Sequence, residues 1–294
     1  MEEKGKQGAR STYIFSVDSF SNGIAFGQHP VSDSVSEETR RHYRLRLDQD
    51  QEVVRLRSRY VLRPHRDQSN CLHELEANLM RLSNNGILRS SEIFFGTTTD
   101  PFHPFEHKFD ASMKFLEIFR RYVPGMLHVQ TRSPLIVLAL PIFKALGKNV
   151  TITLGVETNC EKSRQRYTPD LPRIEERLKT AQALRRFGIE VHIQVGPVLP
   201  YGDWKTDAKG FAQTLVDHAD FIRVLPLTDG SSQSEKRLRK NAVALRVAED
   251  RKFHWLRTDS AVPLLNAIHE IAPEKLEQPV RKHMEDRQLN IFAA

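Results

Sequence analysis

The sequence predicts an α/β protein: an open (β/α)6 partial TIM-type barrel with a parallel sheet, followed by a C-terminal strand–helix unit and a flexible tail. Three observations lead there. From residue 70 onward, short apolar runs alternate with segments of helical period. The connections between them are short, which suits right-handed crossovers between parallel strands. With TYIFSV at 12–17 included, six strand-like runs can be counted, fewer than the eight of a closed barrel.

Residues 1–12 read as a disordered N-terminus, 13–273 as the barrel domain and 274–294 as a tail. After the strand at 12–17, a loop rich in Ser, Gly, Asn and Asp runs to about Ser36. The helix pattern CLHELEANLMRL (71–82) precedes the strand EIFFG (92–96). A helix at 111–121 leads to LHVQT (127–131), and a helix at 134–146, ending at Gly147, leads to NVTITLGV (149–156). A helix at 172–187 ends at Gly188 before EVHIQVG (190–196), and a helix at 206–218 precedes DFIRVLPL (220–227). The segment 253–273 reads as a short strand and then a helix capped near Asp259 or Ser260, with Val262, Leu265, Ile268 and Ile271 recurring at three-residue spacing. It is expected to close the barrel, with His254 and His269 structural.

Composition narrows the function classes. Of 294 residues, 39% are hydrophobic and 28% charged, the balance of a globular domain with a core. No run approaches the roughly 20 apolar residues of a membrane span. The N-terminal MEEKGKQGAR has no apolar signal region. Two distant cysteines, Cys71 and Cys160, give no disulfide framework. A cytoplasmic protein is expected. The net charge of +7 is concentrated in Arg clusters, which can neutralise phosphates. In VVRLRSRYVLR (53–63), apolar and basic residues alternate. A strand there would present Arg55, Arg57, Arg59 and Arg63 as a row for DNA or RNA.

Chemistry in parallel barrels sits at the C-terminal ends of the strands. Those ends read Thr97-Thr98-Thr99-Asp100-Pro101, Thr131-Arg132-Ser133, Gly155-Val156-Glu157-Thr158, Pro197-Val198-Leu199-Pro200 and Arg223-Val224-Leu225-Pro226. Each alone is compatible with turn or cap chemistry. Their recurrence on one rim points to a ligand site.

Three of these stretches carry a resemblance. GTTTDPFHPFE (96–106) resembles the G-T-x-T-D-P-[YF]-x-P-x-E stretch of the radical S-adenosylmethionine (SAM) proteins related to spore photoproduct lyase, the DNA repair photolyase-like family. Thr131-Arg132-Ser133 stands where that family has Thr-Lys-Ser, and the segment 173–204 is similar to its helix–strand–P-[VI]-[LI]-P stretch. The resemblance covers about residues 85–230. It implies a barrel holding SAM against a [4Fe–4S] cluster and generating a radical. The family binds its cluster through Cys-x3-Cys-x2-Cys in the loop after the first strand. Here the loop 16–34 has no cysteine, only Asp18, His29 and Asp33, which are too few and too hard for such a cluster. No cluster, no metal site and no catalytic residue is therefore expected. SAM would have to bind through Thr99, Asp100, Glu106, Thr131, Arg132, Ser133 and Glu157, with Arg132 pairing a carboxylate and carboxylates receiving an amine. A retained small-molecule site and a pure scaffold both stay open.

The C-terminus adds a partner motif. Gln288-Leu289-x-Ile291-Phe292 resembles the Q-L-[SD]-L-F peptide that docks bacterial polymerases and repair factors on the replicative sliding clamp. Leu289, Ile291 and Phe292 suit apolar pockets, and Gln288 a polar rim. The sequence thus leads to a cluster-less, radical-SAM-like accessory or scaffold factor of replication or repair. The alternative is a SAM- or nucleotide-binding enzyme of that family.

Overall fold

The computed structural model describes residues 13–17, 68–96, 100–103 and 106–276. Six parallel strands lie side by side in chain order: β1 (Tyr13–Val17), β2 (Ser91–Phe95), β3 (Met126–Thr131), β4 (Val150–Gly155), β5 (Glu190–Val195) and β6 (Phe221–Val224). β1 and β6 do not pair with each other, so the barrel is open, as expected. Every strand starts within one residue of its expected position.

The connecting helices are α1 (Gln68–Asn84), α2 (Glu106–Arg121), α3 (Leu140–Leu146), α4 (Glu161–Tyr167), α5 (Ile174–Arg186), α6 (Ala208–His218), α7 (Ser232–Leu238), α8 (Ala242–Glu249) and α9 (Val262–Ile271). Their boundaries follow local chemistry. α2 begins shortly after Pro104, earlier than the expected residue 111, because past that proline nothing blocks the helix. The expected helix 134–146 is a 3₁₀ segment, Pro134–Ala139, followed by α3, whose Pro141 fits only a first turn. α4, α7 and α8 were not anticipated. EKSRQRY and SQSEKRL carry almost no apolar period to reveal them.

One face of the sheet is covered by these helices. Phe95 stacks on Phe115 of α2 with ring centroids 5.9 Å apart, and Phe119 lies 6.2 Å away. Ile93, Leu127, Val129, Ile152, Leu154 and Val191 join the same buried cluster. A second cluster continues it toward the C-terminus, where Ile193, Val195 and Ile222 meet Phe211 and Leu215 of α6 and Leu264 and Ile268 of α9. Burying side chains of this size stabilises the fold by roughly 1.5–3 kcal/mol each.

Four expectations for the 253–273 segment are corrected. Phe253–Leu256 is a 3₁₀ helix and not a strand. His254 and Trp255 both turn toward the same aromatic group, and a strand would send neighbouring side chains to opposite faces. A second 3₁₀ turn, Thr258–Ala261, follows, so neither Asp259 nor Ser260 caps α9. The buried stripe of α9 is Leu264, Ala267 and Ile268, while Val262 is exposed. A strict three-residue period drifts around a helix of 3.6 residues per turn and cannot stay on the core face. α9 packs on the helical layer; the sheet continues instead as one parallel bridge between Ile222 and Leu276. Lys275 fixes that bridge by donating to the carbonyls of Val216 (2.6 Å) and Ala219 (3.0 Å).

Candidate ligand site at the strand ends and inner face

The end of β2 turns sharply at Gly96, whose φ is +88°. A Cβ there would sit 2.5 Å from the carbonyl oxygen of Gln130 and 2.6 Å from the ring of Pro101, so only glycine fits. The turn delivers Asp100 to the end of β3. Its Oδ1 accepts from the Thr131 hydroxyl at 2.5 Å and the Phe102 N–H at 3.0 Å, and its Oδ2 accepts from the Arg132 N–H at 2.8 Å. Thr131 also accepts from the Ser133 N–H, and Ser133 caps the 3₁₀ segment by accepting from Leu135. Asp100 and Thr131, two of the expected ligand-binding residues, thus join two rim loops, and Ser133, a third, shapes the second loop.

Arg132 continues the network across the sheet. It lies over Gly155, where a Cβ would meet its Cγ at 2.8 Å. Its Nε donates to Glu157 Oε1 at 2.5 Å and its Nη2 to the Gly196 carbonyl at 3.1 Å. Glu157 Oε2 accepts from Nη1 of Arg177 at 2.7 Å, and the same nitrogen donates to the Gly155 carbonyl at 2.6 Å. Glu157 and Arg177 are buried, at 2% and 0% side-chain exposure, whereas Arg132 keeps 31%. Burial pushes the Glu157 carboxyl up, but the guanidiniums of Arg132 and Arg177 more than offset it and hold it below the ordinary 4.5. Glu157 in turn raises Arg132 above its ordinary value, against burial. The result is a fixed cation at the rim, anchored from below. Nε and Nη2 of Arg177 meet no hydrogen-bond partner among the described residues.

Sequence reasoning missed Arg177 and most of the inner face. Strand residues that alternate with the helix-facing ones point the other way: Phe94, His128, Gln130, Thr151, Thr153, His192, Gln194 and Arg223, most of them half-buried. They touch across strands. Phe94 stacks on His128 with centroids 4.5 Å apart, and His128 Nδ1 lies 2.7 Å from the Thr151 hydroxyl and its Nε2 3.5 Å from Glu92. His192 pairs with Glu190 at 2.8 Å and meets Phe221 edge-on at 5.1 Å. A parallel strand buried on both faces reads as a continuous apolar run. The polar alternation in HVQ, TIT and HIQ was the available signal. Amides, hydroxyls, imidazoles, two guanidiniums and the carboxylates of Glu92 and Glu190 on one half-buried surface suit a polar ligand.

Of the other expected residues, Glu106 opens α2. Thr99, the basic row Arg55, Arg57, Arg59 and Arg63, and the tail residues Gln288, Leu289, Ile291 and Phe292 lie outside the described residues, as does most of the 16–34 loop. A [4Fe–4S] cluster does not fit the donor set. Such clusters need three or four thiolates, and the chain has two, one in the first turn of α1 and one just before α4. Among the described residues no group of three His, Cys, Asp or Glu can hold a metal ion. For an amino-acid ligand such as SAM, the half-buried Arg132 has Nε and Nη2 engaged and leaves Nη1 for a carboxylate, while Glu157 has both oxygens engaged and reaches a ligand only through Arg132. Among the described residues no helix is long and apolar enough to cross a membrane.

No family model matches the chain, and no curated protein matches it significantly. Solved structures of spore photoproduct lyase show a slight likeness. A cysteine-to-serine mutant aligns with a TM-score of 0.49 and 12% identity over 70% of this chain and 65% of its own. A cysteine-to-alanine mutant with dinucleoside spore photoproduct gives 0.47 and 12% over 70% and 66%. A double mutant with bound AdoMet and the same dinucleoside gives 0.49 and 12% over 70% and 65%. The chain therefore spans less than two thirds of these proteins. A likeness this slight assigns neither family nor chemistry to it.

Proposed function

We propose that this chain is a cluster-less, radical-SAM-like barrel that binds nucleic acid as an accessory or scaffold factor of replication or repair. The observation that carries this reading is the polar inner face crowned by Arg132, a cation held by buried Glu157, which Arg177 anchors in turn. A guanidinium anchored this way meets a phosphate with little loss of side-chain freedom. The inner face supplies hydrogen-bonding groups for the rest of a nucleotide unit. Two cysteines in the whole sequence speak against radical chemistry. The basic row at Arg55, Arg57, Arg59 and Arg63 would add phosphate contacts, and Gln288, Leu289, Ile291 and Phe292 would tether the protein to a sliding clamp.

The test is binding of labelled single-stranded and duplex DNA and RNA across a salt series. Affinity should fall linearly on a log–log plot as salt rises, and Arg132→Ala should weaken it. A pull-down of sliding clamp with and without the last seven residues tests the tether. No binding to DNA, RNA or clamp removes the reading.

The half-buried guanidinium of Arg132, with Nη1 outside its two hydrogen bonds, favours a second reading, an enzyme that takes SAM or another nucleotide at the rim for non-radical chemistry. Calorimetry with SAM on the wild type and on Arg132→Lys separates the two. Heat that disappears in the variant supports the enzyme, and absence of heat in the wild type excludes it for SAM.

A further inference from the structure

An aromatic column stands beside the rim, outside the network just described. Trp204 follows β5 and is half-buried. Its ring stacks on His254, with centroids 3.9 Å apart and planes 25° from parallel. His254 meets Trp255 edge-on at 5.8 Å, Trp255 meets Tyr201 at 4.7 Å, and Tyr201 reaches Phe211 of α6 at 5.3 Å. Trp255, Tyr201 and Phe211 are buried. The column therefore roots a partly exposed indole in the core.

The backbone around the indole is held on both sides. The Tyr201 hydroxyl donates to the Trp204 carbonyl at 2.8 Å. The Asp203 carboxylate accepts from the N–H groups of Lys205 and Thr206, and the Asp203 N–H donates to Asp207. A ring fixed this way loses little conformational freedom when something lands on it. The Lys205 ammonium lies 4.7 Å from the indole centroid on a flexible stem that can move aside. Burial holds His254 below its ordinary value of 6.5, with Arg257 and Lys205 adding to the effect and Asp259 opposing it. The shift favours the neutral form of the imidazole behind Trp204.

We propose that Trp204, backed by His254, is a stacking platform for a nucleobase of single-stranded nucleic acid, with Lys205 meeting the adjoining phosphate. The occupant follows from the chemistry. Asp203 and Asp207 turn their carboxylates onto N–H groups of their own turn, so the charge over the ring is the Lys205 ammonium, which repels a cationic ligand and offers nothing to an apolar side chain. A base linked to a phosphate uses both the π-face and the charge. The proposal rests on the nucleic-acid reading above and adds a separate contact to it.

The experiment titrates the full chain with a fluorescein-labelled oligothymidylate of about 12 nucleotides. Wild-type tryptophan emission should be quenched, since Trp204 is accessible and Trp255 is not. Trp204→Ala should weaken binding about 10-fold, the loss expected for one stacked base. Trp204→Phe should stay within about 2-fold, because it keeps a ring, yet lose the quench. Lys205→Gln should lower the magnitude of the salt slope by about 0.7, one single-strand phosphate contact. If the wild type binds and Trp204→Ala binds equally well, or Trp204→Phe is quenched like the wild type, the platform is wrong and the nucleic-acid reading stands. If the wild type binds no oligonucleotide, both fall.

Discussion

The two faces of this sheet are made of the same six strands and do different work. The helix-facing residues, such as Ile152, Leu154 and Ile193, are fully buried and apolar. Most of their inner-face neighbours, such as Gln130, Thr153, His192 and Arg223, are half-buried and polar. A structural sheet needs only the first set; the second gains nothing from burial in an apolar core. Stability is thus carried by one set of alternate residues, and the proposed binding would fall to the other set of the same strand. They meet only at the rim, where a buried ion network fixes a half-buried guanidinium.

That meeting point is where the division is easiest to break. Glu157→Ala leaves the fully buried Arg177 without a counter-charge and should destabilise the protein by about 3–5 kcal/mol in urea unfolding. On the helix face, Ile152→Ala should cost about 2–5 kcal/mol through the cavity it leaves. If Glu157→Ala costs less than 1 kcal/mol, the network is not a foundation, and the rim is separable from the fold.

Acid should produce the next effect. The folded Glu157 carboxyl lies below its ordinary 4.5, so the unfolded chain binds the proton first. The contribution of Glu157 is fully present above that ordinary value and is lost as pH falls through the lower folded one. Urea midpoints taken from neutral pH to about pH 3 should fall at the acid end. Glu157→Gln should flatten that fall, and an unchanged slope in the variant would assign the acid sensitivity to other carboxylates.

The smallest stability effect belongs to the inner face. Thr153→Ala should change stability by no more than about 0.5 kcal/mol. It should nevertheless weaken nucleotide or oligonucleotide binding about 3- to 10-fold, the size of one lost hydrogen bond. The opposite pattern, lost stability with unchanged binding, would make the inner face a second structural surface.

Much of this was legible in the sequence. Strand starts followed from apolar runs with turn residues at their ends. The rim residues Asp100, Arg132 and Glu157 stood out because strand ends are where a parallel fold gathers its chemistry. Arg177 left a fainter mark: it stands on the stripe Ile174, Arg177, Ala181 and Leu184, an arginine where an apolar residue belongs. Read as one more charge in RIEERLKT, it looks solvated. Trp204 and His254 left none, since each is an ordinary aromatic residue in a loop or short segment.

By itself, then, the sequence determined the order and polarity of the strands and limited the thiolates to two. Those properties depend on local period and composition. The tertiary structure alone decided that Arg132, Glu157 and Arg177, separated by 25 and 20 residues, share one ion network. It also decided that Trp204 and His254 share one stack. A side chain's partner is whatever the fold brings within a few ångströms. Crossovers between parallel strands bring together residues tens of positions apart, which no local pattern encodes.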